Sequence, residues 1–227
     1  MEIVWKKEVR GILSILMIGC LFMGFVDAFW QPGYAMKSFF KIIAFLILPF
    51  CYSYVNKNVP LKSLFAVKRK GMIHAVLMAA GVYVFILACY FTIGNFFDFS
   101  QVTGALNKNV GVNKENFVFI AIYISFVNSL LEEFFFRGFV FMNLRKLASR
   151  KFAYLVSSLA FAIYHVAMMA DWFSIGLFLL LLAALIAAGF LFNRLNEKQG
   201  NIYTSWFVHM FANFSINTVG FILFGIL

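Results

Sequence analysis

Charge is what this sequence has least of. Charged residues make up 12% of its 227 residues, against about 25% in an ordinary soluble domain. No polar block is long enough to fold as a separate soluble domain. Cysteine is scarce too: Cys20, Cys51 and Cys89 fall in three different apolar runs. An odd count at such spacing excludes a disulfide framework or a cysteine metal motif, and marks them as small apolar residues. No internal repeat or low-complexity tract is present, which removes the usual pointer to a transporter. Acidic side chains number only nine against nineteen basic ones. The excess of ten positive charges suggests nucleic acid, but the basic residues sit in short segments between apolar runs and form no groove. Their place is the positive-inside pattern of a membrane protein, beside anionic lipid.

What is present is hydrophobic length. Apolar residues reach 63% and mean hydropathy is +0.90. Seven runs approach the roughly 20 residues that a helix needs to cross a bilayer: residues 11–26, 39–55, 71–94, 117–144, 152–170, 173–192 and 202–224. The expected fold class is all-α, a polytopic transmembrane helix bundle of about seven spans. Residues 1–227 form a single integral membrane domain, with spans one to three in residues 1–115 and the remaining four in 116–227.

The first run follows Lys6, Lys7 and Arg10 but ends at Asp27-Ala28-Phe29-Trp30, without a small-x-small cleavage site, so it reads as a retained span. Trp30 is expected as an interfacial anchor, Asp27 near the headgroups and His74 at an interface. Pro49 is expected to kink the second span. Residues 95–116 and 193–201 read as polar connections, and Asp171-Trp172 as a tight one. Ala183, Ala184, Ala187 and Ala188 lie at the small-xxx-small spacing of close helix contacts. With the N-terminus inside, fourteen basic residues fall on the inner side. Lys37, Lys41, Lys108 and Lys114 fall outside, and Arg137 lies within a span. The chain is therefore expected in the cell membrane as a multi-pass protein, N-terminus cytoplasmic and C-terminus outside.

Few strongly polar side chains interrupt the spans. Glu132, Glu133 and Arg137 lie in the fourth with Asn128, His165 in the fifth, and His209 and Asn213 in the seventh. A charge at the bilayer centre costs about 2.5–3.5 kcal/mol on insertion scales, so such residues face a bundle interior and usually carry function. Glu133 and Arg137 are four apart and can pair on one helix face, which a structural role explains as well as a catalytic one. Glu132 is rotated about 100° from Glu133 and has phenylalanines, not cations, three and four residues on. Phe161 reads as packing. At about 1.5 Å per residue, a fourth helix continuing to Leu144 sets Glu132, His165, His209 and Asn213 at overlapping depths. A break at Arg137 would weaken that match.

Two chemistries fit such a cluster. A carboxylate beside a histidine can activate water as a general base, with a second histidine and an amide to stabilise an oxyanion. Two histidines and a glutamate, here His165, His209 and Glu132, are also a ligand set of catalytic zinc.

At these residues the sequence resembles the CPBP family, the membrane-embedded CAAX-protease and bacteriocin-processing group that includes the Ras-converting prenyl endopeptidases. The patterns EExxxR, FxxxH and HxxxN appear in order as Glu132-Glu133-Phe-Phe-Phe-Arg137, Phe161-Ala-Ile-Tyr-His165 and His209-Met-Phe-Ala-Asn213. The resemblance implies a membrane-embedded endopeptidase with its catalytic core in residues 116–227 and its site between the fourth, fifth and seventh spans. It implies that Glu132 is the base on water with His165 assisting. It implies further that Glu133 and Arg137 hold the geometry, and that His209 and Asn213 form the oxyanion hole. It leaves the choice between a metal-free mechanism and zinc open, and leans to the former. The implied substrate is a peptide or lipidated protein tail at the membrane, as in bacterial peptide processing or bacteriocin self-immunity, a type that the small size suits. The alternative is a non-catalytic immunity or binding protein that keeps the motifs as a structural core. Metal content, oligomeric state and the identity of the substrate stay open.

The charge asymmetry generates a test. Reporter fusions at the C-terminus are expected to give active alkaline phosphatase and dark green fluorescent protein; the opposite pattern would reverse the orientation.

Overall fold

The computed structural model describes residues 7–66, 72–169 and 173–227, apart from the side chains of Met72 and Met168. Lys6, the basic run Lys68, Arg69 and Lys70, and the Asp171-Trp172 connection lie outside the described residues. The rest is helical, with no strand among the described residues. Among the described residues six helices are long and apolar enough to cross a membrane: α1 Lys7–Trp30, α2 Tyr34–Val55, α3 Ile73–Phe96, α5 Phe117–Leu147, α7 Ile175–Gln199 and α8 Tyr203–Leu223. Between them lie α4, Ser100–Val110, and α6, a 20-residue helix over Arg150–Met169 at the place of the expected fifth span. The protein is a polytopic helical bundle close to the seven spans expected.

The helix carrying the acidic stretch is the centre of the bundle. Every residue from Leu131 to Leu144 is buried. Phe134, Phe135, Phe136, Phe139 and Phe141 pack against Val9, Ile12, Ile15 and Leu16 of α1, Phe45 of α2, and Tyr154, Phe161 and Tyr164 of α6. Phe45 stacks flat on Phe135 with ring centroids 4.2 Å apart, a contact worth about 0.5–1.5 kcal/mol beyond its buried area. A helix apolar on all sides must be enclosed by others, and α5 is. It does not break at Arg137. Two stretches, Ile124–Asn128 and Glu133–Phe141, are wound as π-helix, a form frequent at functional sites.

Polar side chains complete the backbone hydrogen bonding that apolar surroundings demand. Ser125 Oγ donates to the Ala121 carbonyl at 2.8 Å, and Ser157 Oγ of α6 donates to the Phe136 carbonyl at 2.9 Å. From α8, Trp206 Nε1 donates to the Phe126 carbonyl at 3.0 Å and Asn217 Nδ2 to the Ala121 carbonyl at 3.1 Å. These ties hold α8 and α6 against α5 and set the register in which their histidines arrive.

The connections depart from expectation in three places. Residues 95–116 contain α4, stopped by Gly111 in the left-handed region at φ 68°; its buried Val102 and Val110 supply an apolar face too short to stand out in sequence. The sixth span continues through residues read as a polar loop, to Gln199. Asn193 is buried there and its Nδ2 donates to Ser158 Oγ at 3.1 Å. Glu197 gathers Arg150 through two hydrogen bonds of 2.7 and 2.8 Å, Arg145 at 3.2 Å and Tyr154 at 2.7 Å. Arginines read as topology signals thus also fasten the ends of α5, α6 and α7. Third, of the four alanines of α7 only Ala188 is half-buried against neighbours, Phe192 and Val208 among them. Ala183, Ala184 and Ala187 are exposed, and Gly189 is the residue that lies against α6.

Pro49 leaves α2 continuous. The turn before it, Ile43–Ile47, is π-helical, which accommodates the donor that proline lacks. The three cysteines are free, and His74 is exposed at the start of α3.

A Cβ built on Gly189 would lie 2.9 Å from the Ser158 backbone, whereas one on Gly81 meets nothing within 4 Å. Gly189→Ala is expected to cost about 1–3 kcal/mol through forced separation of α6 and α7. Gly81→Ala is expected to be neutral or slightly stabilising. Thermal midpoints of the two variants in detergent check the contrast.

Candidate active site

Three elements bring the site together, as the depths implied. α5 contributes Glu132, Glu133 and Arg137, α6 contributes His165, and α8 contributes His209. All three α5 side chains are buried, with Glu132 2% exposed and the other two at 0%.

Glu133 and Arg137 form the expected pair, with Arg137 Nη1 3.4 Å from Glu133 Oε1. No hydrogen bond to the guanidinium is present among the described residues. Its other support is aromatic. The guanidinium carbon lies 3.9 Å from the ring centre of Phe161 and 4.9 Å from that of Phe192, within the range in which a cation is held by a ring face. Phe161 is therefore packing, as read, and also the seat of the arginine.

His209 Nδ1 lies 3.0 Å from the same Glu133 Oε1. His165 Nδ1 lies 2.7 Å from the Phe161 carbonyl oxygen. A carbonyl only accepts, so His165 Nδ1 carries the proton and its Nε2 presents a lone pair. The Glu133 carboxylate selects the same tautomer of neutral His209. Both free Nε2 atoms point at one oxygen, lying 3.8 Å (His165) and 3.7 Å (His209) from Glu132 Oε2. These separations are too long for direct hydrogen bonds. They leave Oε2 open between two imidazoles.

The other oxygen of Glu132 is occupied. Lys41 Nζ donates to Oε1 at 2.9 Å, Asn128 Nδ2 donates to it at 3.0 Å, and Lys41 Nζ also reaches Asn128 Oδ1 at 2.5 Å. Glu132 therefore has a cationic partner after all. It comes from the far end of the chain, from a lysine read as an outside charge flanking the second span. Lys37 is likewise buried within α2, 2.6 Å from Asp27, which therefore has a cation inside the protein. A signal was present: Lys37 and Lys41 are four apart at the head of an apolar run, on one helix face, and α2 begins at Tyr34 rather than 39.

Asn213 shares the face of His209 towards α5, but its amide is directed elsewhere: Nδ2 donates to the Ile124 carbonyl at 3.3 Å. No hydrogen bond joins it to Glu132 or His209 among the described residues.

The fit of a metal can be judged from the side chains. Among the described residues no three of His, Cys, Asp and Glu are gathered so as to hold an ion. Charge points the same way. Asp27, Glu132 and Glu133 each already face one cation, Lys37, Lys41 and Arg137, so a divalent ion would add uncompensated charge to a buried site. No step below runs through one.

A buried carboxylate with two imidazoles facing one of its oxygens thus lies inside a helical membrane bundle. Comparison with known proteins narrows the class: residues 114–215 match the family model described as Type II CAAX prenyl endopeptidase Rce1-like. The matched segment runs from α5 to α8, holds all six expected site residues, and agrees with the CPBP, or CAAX-protease, family. It supports a CAAX-protease-like intramembrane endopeptidase. Neither the curated proteins nor the solved structures contain a match.

Removing one partner of a buried pair costs about 3–5 kcal/mol. Arg137→Met is accordingly expected to lower the folded fraction sharply, because it strands the Glu133 carboxylate. Arg137→Met combined with Glu133→Gln is expected to recover much of that loss. Size-exclusion profiles of detergent-solubilised variants after a heating series check both.

Proposed function

We propose that the protein hydrolyses a peptide bond in a membrane-associated peptide or protein tail, with Glu132 as the general base on water. The observation that carries this reading is the asymmetry of Glu132. Oε1 is held by Lys41 and Asn128, while Oε2 faces the Nε2 atoms of His165 and His209 without a direct hydrogen bond to either.

A water placed among Oε2 and the two Nε2 atoms finds three acceptors for its two protons, so a lone pair is left to attack a carbonyl carbon. As the new C–O bond forms, the water proton passes to Glu132, and the carbonyl π electrons move to its oxygen. Collapse then breaks the C–N bond and returns the proton to the leaving nitrogen. His165 holds the water; its tautomer is set by the Phe161 carbonyl. His209 lies on the opposite side of Oε2, oriented by Glu133, and enters the oxyanion hole by resemblance. Asn213 enters the oxyanion hole by resemblance, and its bond to the Ile124 carbonyl must exchange for that role. Zinc held by His165, His209 and Glu132 is the competing chemistry, and elemental analysis of active protein separates the two.

One observation favours the second reading, a non-catalytic immunity or binding protein. With Lys41 on Glu132, each buried carboxylate has a cation, as a structural core requires. Substitution decides. Glu132→Gln is expected to leave the protein folded and to abolish cleavage, read as the disappearance of wild-type-dependent peptide termini in a comparison of membranes. Termini unchanged between the wild type and Glu132→Gln would remove Glu132 from the base role.

A further inference from the structure

The lysine bound to Glu132 lies far outside the matched segment, and its geometry is more specific than charge neutralisation needs. Lys41 is 5% exposed. Its ammonium is wedged between rings, 5.0 Å from the centre of Tyr164 and 5.7 Å from that of Phe45. It binds one carboxylate oxygen and the amide oxygen of Asn128, whose nitrogen binds the same carboxylate oxygen. The three groups form a closed ring of hydrogen bonds that fixes the plane of the carboxylate. Lys37, one turn away, is taken by Asp27 and does not compete.

We infer that Lys41 is a positioning residue of the active site, supplied by α2, that aims Glu132 Oε2 at the attacking water and keeps the site electrically neutral through the reaction. The inference rests on the endopeptidase reading. Before attack, the ammonium balances the Glu132 carboxylate. When Oε2 takes the water proton, Glu132 becomes neutral and the negative charge moves to the oxyanion of the tetrahedral intermediate. The ammonium stays in place and balances that charge in turn. Lys41 exchanges no proton, and no charge has to be brought in from water. A fixed cation near the charge that develops, in a buried site, is the arrangement in which electrostatic stabilisation is strongest.

The test uses the full chain in detergent and a quenched fluorescent peptide built on a cleavage site found by comparing wild-type and Glu132→Gln membranes. Lys41→Met is expected to lower kcat about 100-fold or more, the usual scale for losing one preorganised donor. KM is expected to stay within about twofold, because Lys41 does not touch substrate. Lys41→Arg, which keeps the charge, is expected to recover at least about tenfold of that loss. If Lys41→Met does not fold, Lys41→Gln replaces it under the same criteria, since its amide can still donate to Oε1. A charge-free variant that keeps kcat within about threefold of wild type, a loss confined to KM, or a folded Lys41→Arg no better than Lys41→Met overturns the assignment while leaving Glu132 as the base. If the wild type yields no site that Glu132→Gln spares, the endopeptidase reading falls first and this inference with it.

Discussion

Everything in this protein is arranged around the need to keep three carboxylates in an apolar interior. Asp27, Glu132 and Glu133 are each buried, and each has one buried cation, Lys37, Lys41 and Arg137. An uncompensated charge at such depth costs several kcal/mol, so these three contacts constrain which helices can be neighbours. α2 must lie where its two lysines reach α1 and α5. α6 and α7 must present Phe161 and Phe192 to the guanidinium of α5. The aromatic packing of Phe45, Phe135 and Phe136 then fills the space that these contacts leave.

Within that frame the two glutamates, adjacent in sequence, have separate environments. Glu133 is fully buried, with its Oε1 facing both Arg137 and His209 and its Oε2 without a hydrogen bond among the described residues. Glu132 is half open, with one oxygen held and one facing two imidazoles. The difference comes from the roughly 100° between successive helix positions, which turns one carboxylate towards Arg137 and the other towards α2, α6 and α8. Two residues of one type therefore have different partners, Arg137 and His209 for one, Lys41 and two imidazoles for the other.

Most of the architecture was legible in the chain. The seven apolar runs and the convergence of Glu132, Glu133, Arg137, His165 and His209 follow from hydrophobic length, spacing and depth, whereas the sequence leaves open whether the fourth helix continues past Arg137. The misses share a cause. Lys37, Lys41 and Asp27 stand at the edges of apolar runs, where a charged residue ordinarily ends a span, and only a partner on another helix draws them inside. Asn193 and Glu197 were given to a loop because polarity along one helix does not reveal Ser158, Arg145 and Arg150 waiting on two others. The alanines of α7 had the spacing of a contact face, but Gly189 allowed the closer approach.

By itself the sequence determined the helical membrane setting, the polar side chains within the spans and the helices that carry them, because those properties depend on composition and on distances along one chain. Tertiary structure decided which partner each buried charge takes. It placed Lys41 on Glu132 from ninety-one residues away, turned the Asn213 amide to a backbone carbonyl, and seated Arg137 on Phe161. The physical reason is that neutralisation in an apolar interior acts through space at a few ångströms, where separation along the chain has no weight.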